Sequence, residues 1–187
     1  MKAIITLVCV AMLALSTTAQ KKKSTAPLAT FETFTLEQKD GKLWFLQKEG
    51  KVVKLTLELQ TTGPKFEALQ PKITAFTSGG VKLYVVSWTE KTLQKTTDKT
   101  EDIVAVQTRI IDIGLSKVVF SNAQITNNST EKVFLDRNKT ASETQMRVRR
   151  EGMEIQTMPD GTLLQKNKTQ STKWVYDAKK GEFVAKR

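Results

Sequence analysis

The sequence predicts an all-β fold: an antiparallel β-sandwich or small β-barrel, preceded by a cleaved signal peptide. Three observations carry this. In the stretch 53–60, Val53, Leu55, Leu57 and Leu59 alternate with Lys54, Thr56, Glu58 and Gln60, the period of a half-buried strand. In the stretch 81–90, Val81, Leu83 and Val85 face one way while Tyr84, Val86 and Trp88 face the other, so both faces are apolar, as in a central strand. Short apolar runs are separated throughout by Gly, Pro and Asn turn residues, the punctuation of an antiparallel β domain.

The chain opens with Lys2, an apolar run over residues 3–15 and the small-residue exit Ser16-Thr17-Thr18-Ala19. This is the composition of a secretory signal peptide. The run is shorter than the roughly 20 apolar residues needed to cross a bilayer. Cleavage is expected after Ala19, giving residues 1–19 as leader and a secreted or periplasmic protein of the cell envelope with no transmembrane helix. Residues 20–29, with Lys21, Lys22 and Lys23, have nothing to bury and are expected to form a disordered basic tail. Residues 30–187 are expected to form a single antiparallel β domain, long enough to need no staple.

Phe34 and Leu36 alternate in phase, and Asp40-Gly41 is a turn. The run Leu43-Trp44-Phe45-Leu46 then pairs with 53–60 across a loop ending at Gly50, a hairpin pattern. This hairpin is the stretch around which the chain is expected to be organised. Gly63-Pro64 breaks the ladder. Ile73 and Ala75 mark the next strand, and Gly79-Gly80 turns it into 81–90. Residues 91–99 are polar and read as a loop.

The stretch 100–114 has helix-like caps, but Ile103, Val104, Val106, Ile110, Ile111 and Ile113 are β-branched, which tips it to strand. A strand at 118–120 can extend to Ile125, 127–130 reads as a loop, and 133–135 as a short strand. Met146 and Val148 alternate with Gln145, Arg147 and Arg149. Glu151-Gly152 and Pro159-Asp160-Gly161 are turns. A last hairpin pairs 173–176 with 182–184 across 178–181.

The chemistry is narrowed mainly by what is missing. With no histidine and one cysteine, Cys9 in the leader, histidine-dependent nucleophilic sites and Cys/His zinc sites are excluded. No phosphate-binding glycine loop or calcium loop is present, so neither metal nor cofactor is expected. Ser129-Thr130-Glu131-Lys132 matches a Ser-x-x-Lys pattern but lacks its partner motifs. Asn127, Asn128, Asn138 and Asn167 lie in Asn-x-Ser/Thr triplets that could accept glycans, although Asn and Thr are simply common in these stretches. Glu58, Glu90, Asp112 and Glu154 are the carboxylates a glycosidase could use; each reads as a wet-face strand residue.

Lys and Arg outnumber Asp and Glu by 30 to 19, a net charge of +11. That suits an anionic glycan, lipid or envelope surface, as well as a plainly solvated basic surface. Nucleic acid is disfavoured, because Trp44, Tyr84, Trp88, Trp174 and Tyr176 sit in strand-like segments rather than along a basic stripe. Arg147 and Arg149 are the candidate ligand-binding residues: two guanidiniums on one strand face can hold a phosphate or carboxylate. A solvated face is the competing reading.

The leading expectation is a non-enzymatic binding or structural protein, concretely a lipid- or glycan-binding barrel. The alternatives are a carboxylate-dependent hydrolase and a small outer-membrane β-barrel. Charges would interrupt the outward apolar band of the latter, and the basic Lys186-Arg187 lacks the final aromatic expected there.

Overall fold

Three antiparallel meanders follow one another along the chain. The computed structural model describes residues 26–61 and 66–186, so the expected leader and most of the basic tail lie outside the described residues. Sheet I contains β1 (Ala29–Phe31), β2 (Phe34–Lys39), β3 (Lys42–Glu49) and β4 (Val52–Leu59). Sheet II contains β5 (Ala68–Ser78), β6 (Val81–Lys95), β7 (Lys99–Asp112), β8 (Lys117–Phe134) and β9 (Ser142–Gly152). Sheet III contains β10 (Glu154–Thr157), β11 (Leu163–Lys166), β12 (Ser171–Asp177) and β13 (Glu182–Ala185). Within each sheet the strands pair in sequence order, and each sheet keeps two edges. The all-β expectation holds, whereas the barrel alternative fails because no sheet closes on itself. Among the described residues there is no helix long and apolar enough to cross a membrane.

Sheet II is the middle layer. Phe34, Leu36, Leu43, Phe45 and Leu59 of sheet I pack with Ile73, Tyr84, Val86, Trp88 and Ile111 on one of its faces. On the other face Leu83 and Ile110 meet Leu163, Tyr176 and Phe183 of sheet III, with Phe76, Val85 and Phe120 around them. Residues 81–90 are apolar on both sides because each side meets its own sheet; β6 lies inside the layer without being its middle strand.

The turns follow their residues. Gly79 and Gly80 supply the positive φ angles, 56° and 78°, of the tight turn between β5 and β6. Pro71 interrupts β5, where the register shifts between Leu69 and Lys72. β5 is an edge strand, which is where a residue lacking an N–H is tolerated.

The stretch 100–114 is strand, as its β-branched residues indicate: β7 spans Lys99–Asp112. Two expected loops are also strand. Residues 91–95 continue β6, and 127–130 lie inside the 18-residue β8. Both are held by ladders to their neighbours. Their polar composition reflects sheet ends that project beyond the covering layers, where neither face needs apolar residues. The 42–60 hairpin forms as β3 and β4, but at the edge of sheet I rather than at the centre of the molecule. Its apolar face is graded: Leu59 is buried, Leu57 and Leu55 are half-buried, and Val53 is exposed beyond a bulge.

Candidate functional site

Where sheet III ends, β8 and β9 of sheet II run on, and the step between the two layers forms a cleft of about 610 Å³. It is lined by Gln124 of β8, Arg150, Glu151 and Gly152 of β9, Glu154 of β10, Lys166 of β11, and Asn167, Lys168 and Thr169 of the following turn. Gly152 makes the corner. Its φ is 81°, and a Cβ there would sit 2.1 Å from the carbonyl oxygen of Ala123. Only glycine lets the chain leave sheet II this close to β8 and cross into sheet III.

The turn at 167–170 is closed by its own asparagine. Asn167 Oδ1 accepts from the N–H groups of Thr169 (2.9 Å) and Gln170 (2.8 Å), and the Asn167 N–H donates to the Gln170 carbonyl at 2.9 Å. This Asx geometry fixes the turn that carries Lys168 at the rim.

Three cations, Arg150, Lys166 and Lys168, line the cleft together with Glu154; Glu151 borders it, but its carboxylate lies with Arg149 on the opposite face of β9. Glu151 is engaged by Arg149, Nε to Oε1 at 2.6 Å, and Glu154 by Lys166 at 4.0 Å. Among the described residues, neither Arg150 nor Lys168 is drawn into an ion pair. The cleft therefore offers positive charge beside neutral hydrogen-bonding groups of Gln124, Asn167 and Thr169.

Arg147 and Arg149 do share one face of β9, as expected, but each is held along the strand. Arg147 Nη2 donates to Gln145 Oε1 at 2.8 Å, and Gln145 Nε2 donates to Glu143 Oε1 at 2.6 Å. Arg149 pairs with Glu151 as above. Arg150, one residue on, projects to the opposite face of the strand and lines the cleft.

The four carboxylates considered from sequence do not come together. Glu58 is exposed and paired with Lys42 at 2.9 Å, and Glu154 lies in the cleft. Glu90 and Asp112 are not wet-face residues: both are buried. Glu90 accepts from Trp88 Nε1 at 2.6 Å, beside Arg109, whose guanidinium lies 5.3 Å from the Trp88 ring centre. Arg109 also donates to the carbonyls of Gln60, Thr108 and Asn122. Burial lowers its pKa, and the nearby Glu90 charge opposes that shift. The cluster ties the end of sheet I to sheet II. Asp112 Oδ2 accepts from the Tyr176 hydroxyl at 2.5 Å, and Asp112 Oδ1 accepts from the Leu115 N–H at 3.1 Å. Burial, then the bond to Asp112, holds the Tyr176 phenol pKa well above its ordinary value.

Gln124, Arg150, Lys166 and Lys168 were not legible as site residues, since no motif links positions so far apart. The Asn167-Lys168-Thr169 triplet stands out in the sequence only as a glycan acceptor. No family model, curated protein or solved structure matches this chain.

Proposed function

We propose that this is a secreted or periplasmic, non-enzymatic binding protein of the cell envelope whose cleft takes an anionic ligand, most concretely an acidic saccharide. The observation that carries the reading is the pairing of Arg150 and Lys168, outside ion pairs, with the neutral groups of Gln124, Asn167 and Thr169 in one cleft. Charge-assisted hydrogen bonds recognise a carboxylate or sulfate, while amide and hydroxyl groups suit sugar hydroxyls. An acyl chain would need an enclosed apolar cavity, and the open sheets give no barrel interior to supply one. The composition of residues 1–19 supports export. Glu154 also lines the cleft, which gives the hydrolase alternative one carboxylate as its foothold.

Calorimetric titration with a uronic-acid oligosaccharide and its neutral counterpart tests the reading. The acidic ligand should bind, more weakly as salt rises. Arg150→Ala and Lys168→Ala should each lower affinity by about tenfold, the worth of one charged hydrogen bond. Equal binding of the neutral sugar, or unchanged affinity in both variants, would refute it. Appearance of new reducing ends during the titration would shift the assignment to hydrolysis.

A further inference from the structure

Most sheet edges in this protein are blunted. β1 has three residues, and β10 and β13 have four each. β5 carries Pro71 and a register shift, and the β3–β4 pairing shifts register between Gln47 and Lys48. Short length, proline and bulges are the usual ways of protecting an edge from other chains. β9 has none of these and relies on charge, at Glu143, Arg147, Arg149, Arg150 and Glu151. It is the last strand of sheet II, runs 11 residues, contains no proline and pairs with β8 without a register shift from Ser142 to Gly152. All its residues are exposed except the half-buried Gln145. Met146 and Val148 on it are 80% and 62% exposed.

We propose that β9 pairs with β9 of a second copy of this chain, in antiparallel register about a two-fold axis at Met146. Residues opposite one another in an antiparallel pair point to the same face, so a symmetric pairing must be centred on a residue. Charge and ladder length then select the centre. With Met146 opposite Met146, Glu143 faces Arg149 and Gln145 faces Arg147, each twice by symmetry, and no like charges oppose. On the other face Thr144 meets Val148 and Ser142 meets Arg150. Centring on Arg147 sets Arg147 against itself and Glu143 against Glu151. Centring on Val148 sets Arg147 against Arg149, and centring on Arg149 sets that residue against itself. Centring on Gln145 also sets Glu143 against Arg147 without opposing like charges, but it shortens the ladder to 142–148 and leaves Arg149 beyond its end. Met146 is thus the centre that combines opposite-charge pairing with the longer ladder, from Ser142 to Arg150. Closed two-fold pairing uses up the edge and leaves no site for further growth. The side chains at the join are Met146, Val148 and Thr144 on the same face as Arg150, and Glu143, Gln145, Arg147 and Arg149 on the other.

Sedimentation velocity over a wide concentration range is the test. The protein should show a concentration-dependent dimer. Glu143→Arg or Arg149→Glu sets like charges opposite each other at two symmetric places and should weaken dimerisation at least about 30-fold. Combining the two substitutions swaps the charges and should restore it. These residues are exposed, and an unchanged circular dichroism spectrum confirms that each variant is folded. In a Cys9→Ser background, Met146→Cys should form a disulfide-linked dimer under mild oxidation. Val148→Cys should not, because its two copies would lie roughly 13 Å apart along the strands, beyond disulfide reach. A monomer at every concentration, a dimer indifferent to the single charge reversals, or crosslinking at Val148 in place of Met146 would each overturn the proposal.

Discussion

Replacing Tyr176 by Phe removes one oxygen atom and isolates what that atom does. Tyr176 is 2% exposed in β12, and its hydroxyl donates at 2.5 Å to Asp112 Oδ2 at the end of β7, where Asp112 is itself 5% exposed. The bond joins sheet III to sheet II. The phenylalanine ring fills the same space, so no sizeable cavity opens. What is lost is a hydrogen bond to a charged acceptor, leaving Oδ2 buried without its donor while Oδ1 keeps the Leu115 N–H. Such losses cost roughly 1.5–3 kcal/mol. We expect about 2 kcal/mol, or a fall of about 4–8 °C in Tm for a chain of this size. Urea denaturation at pH 7 measures it directly.

The pH dependence has a definite sign. Burial and the Asp112 bond raise the folded phenol above its unfolded pKa of about 10. The hydroxyl's contribution is therefore complete below pH 10 and is lost as pH rises through the folded value. The gap between wild type and Tyr176→Phe should stay level from about pH 6 to 9 and narrow above about pH 10. A loss under about 0.5 kcal/mol at pH 7 would refute the argument, because it would mean that the Asp112–Tyr176 bond does not hold the layers together.

Two further contrasts test the packing. Gly79→Ala should cost about 3 kcal/mol or more, since its Cβ would lie 2.1 Å from the Tyr176 carbonyl oxygen at positive φ; Gly80→Ala meets open space and should cost only about 1–2 kcal/mol, with urea denaturation ranking the two. Leu43→Ala, at a fully buried position, should cost about 2–5 kcal/mol, whereas the half-buried Leu57→Ala should cost about 1–2 kcal/mol, and equal losses would contradict the edge position of β4.

The parts of the fold legible in the sequence are those where one face is dry and the other wet, or both are dry. Phe34 and Leu36, the two-faced 81–90 stretch and the terminal hairpin all announce themselves because burial imposes a period of two. The Gly79-Gly80 turn is legible because few other residues accept its backbone angles. Residues 91–95 and 127–130 were unreadable as strand because they are held mainly by ladder hydrogen bonds, and these place no demand on side-chain polarity. Glu90 and Asp112 misled for a related reason. Alternation marks which face a residue occupies, but not whether a Trp88 indole or a Tyr176 hydroxyl waits there to receive a carboxylate. The cleft was hidden more deeply, since it depends on the step between sheets II and III, which brings Gln124, Arg150 and Lys168 together from three separate stretches. The shared face of Arg147 and Arg149 was legible; their capture by Gln145 and Glu151 was not.

The three meanders also set an order of assembly. Each sheet is one continuous length of chain, so its strands find their partners locally and quickly. The apolar surfaces are completed much later. As the chain emerges from its N-terminal end, sheet I can cover one side of sheet II as soon as both exist. The side bearing Leu83, Val85, Ile110 and Phe120 must wait for residues 154–185 to arrive. A nascent chain stalled after β9 would carry a finished central layer with an uncovered greasy flank, the state most open to aggregation. Removal of the stretch 154–185 should therefore yield insoluble protein rather than a shortened, partly working domain.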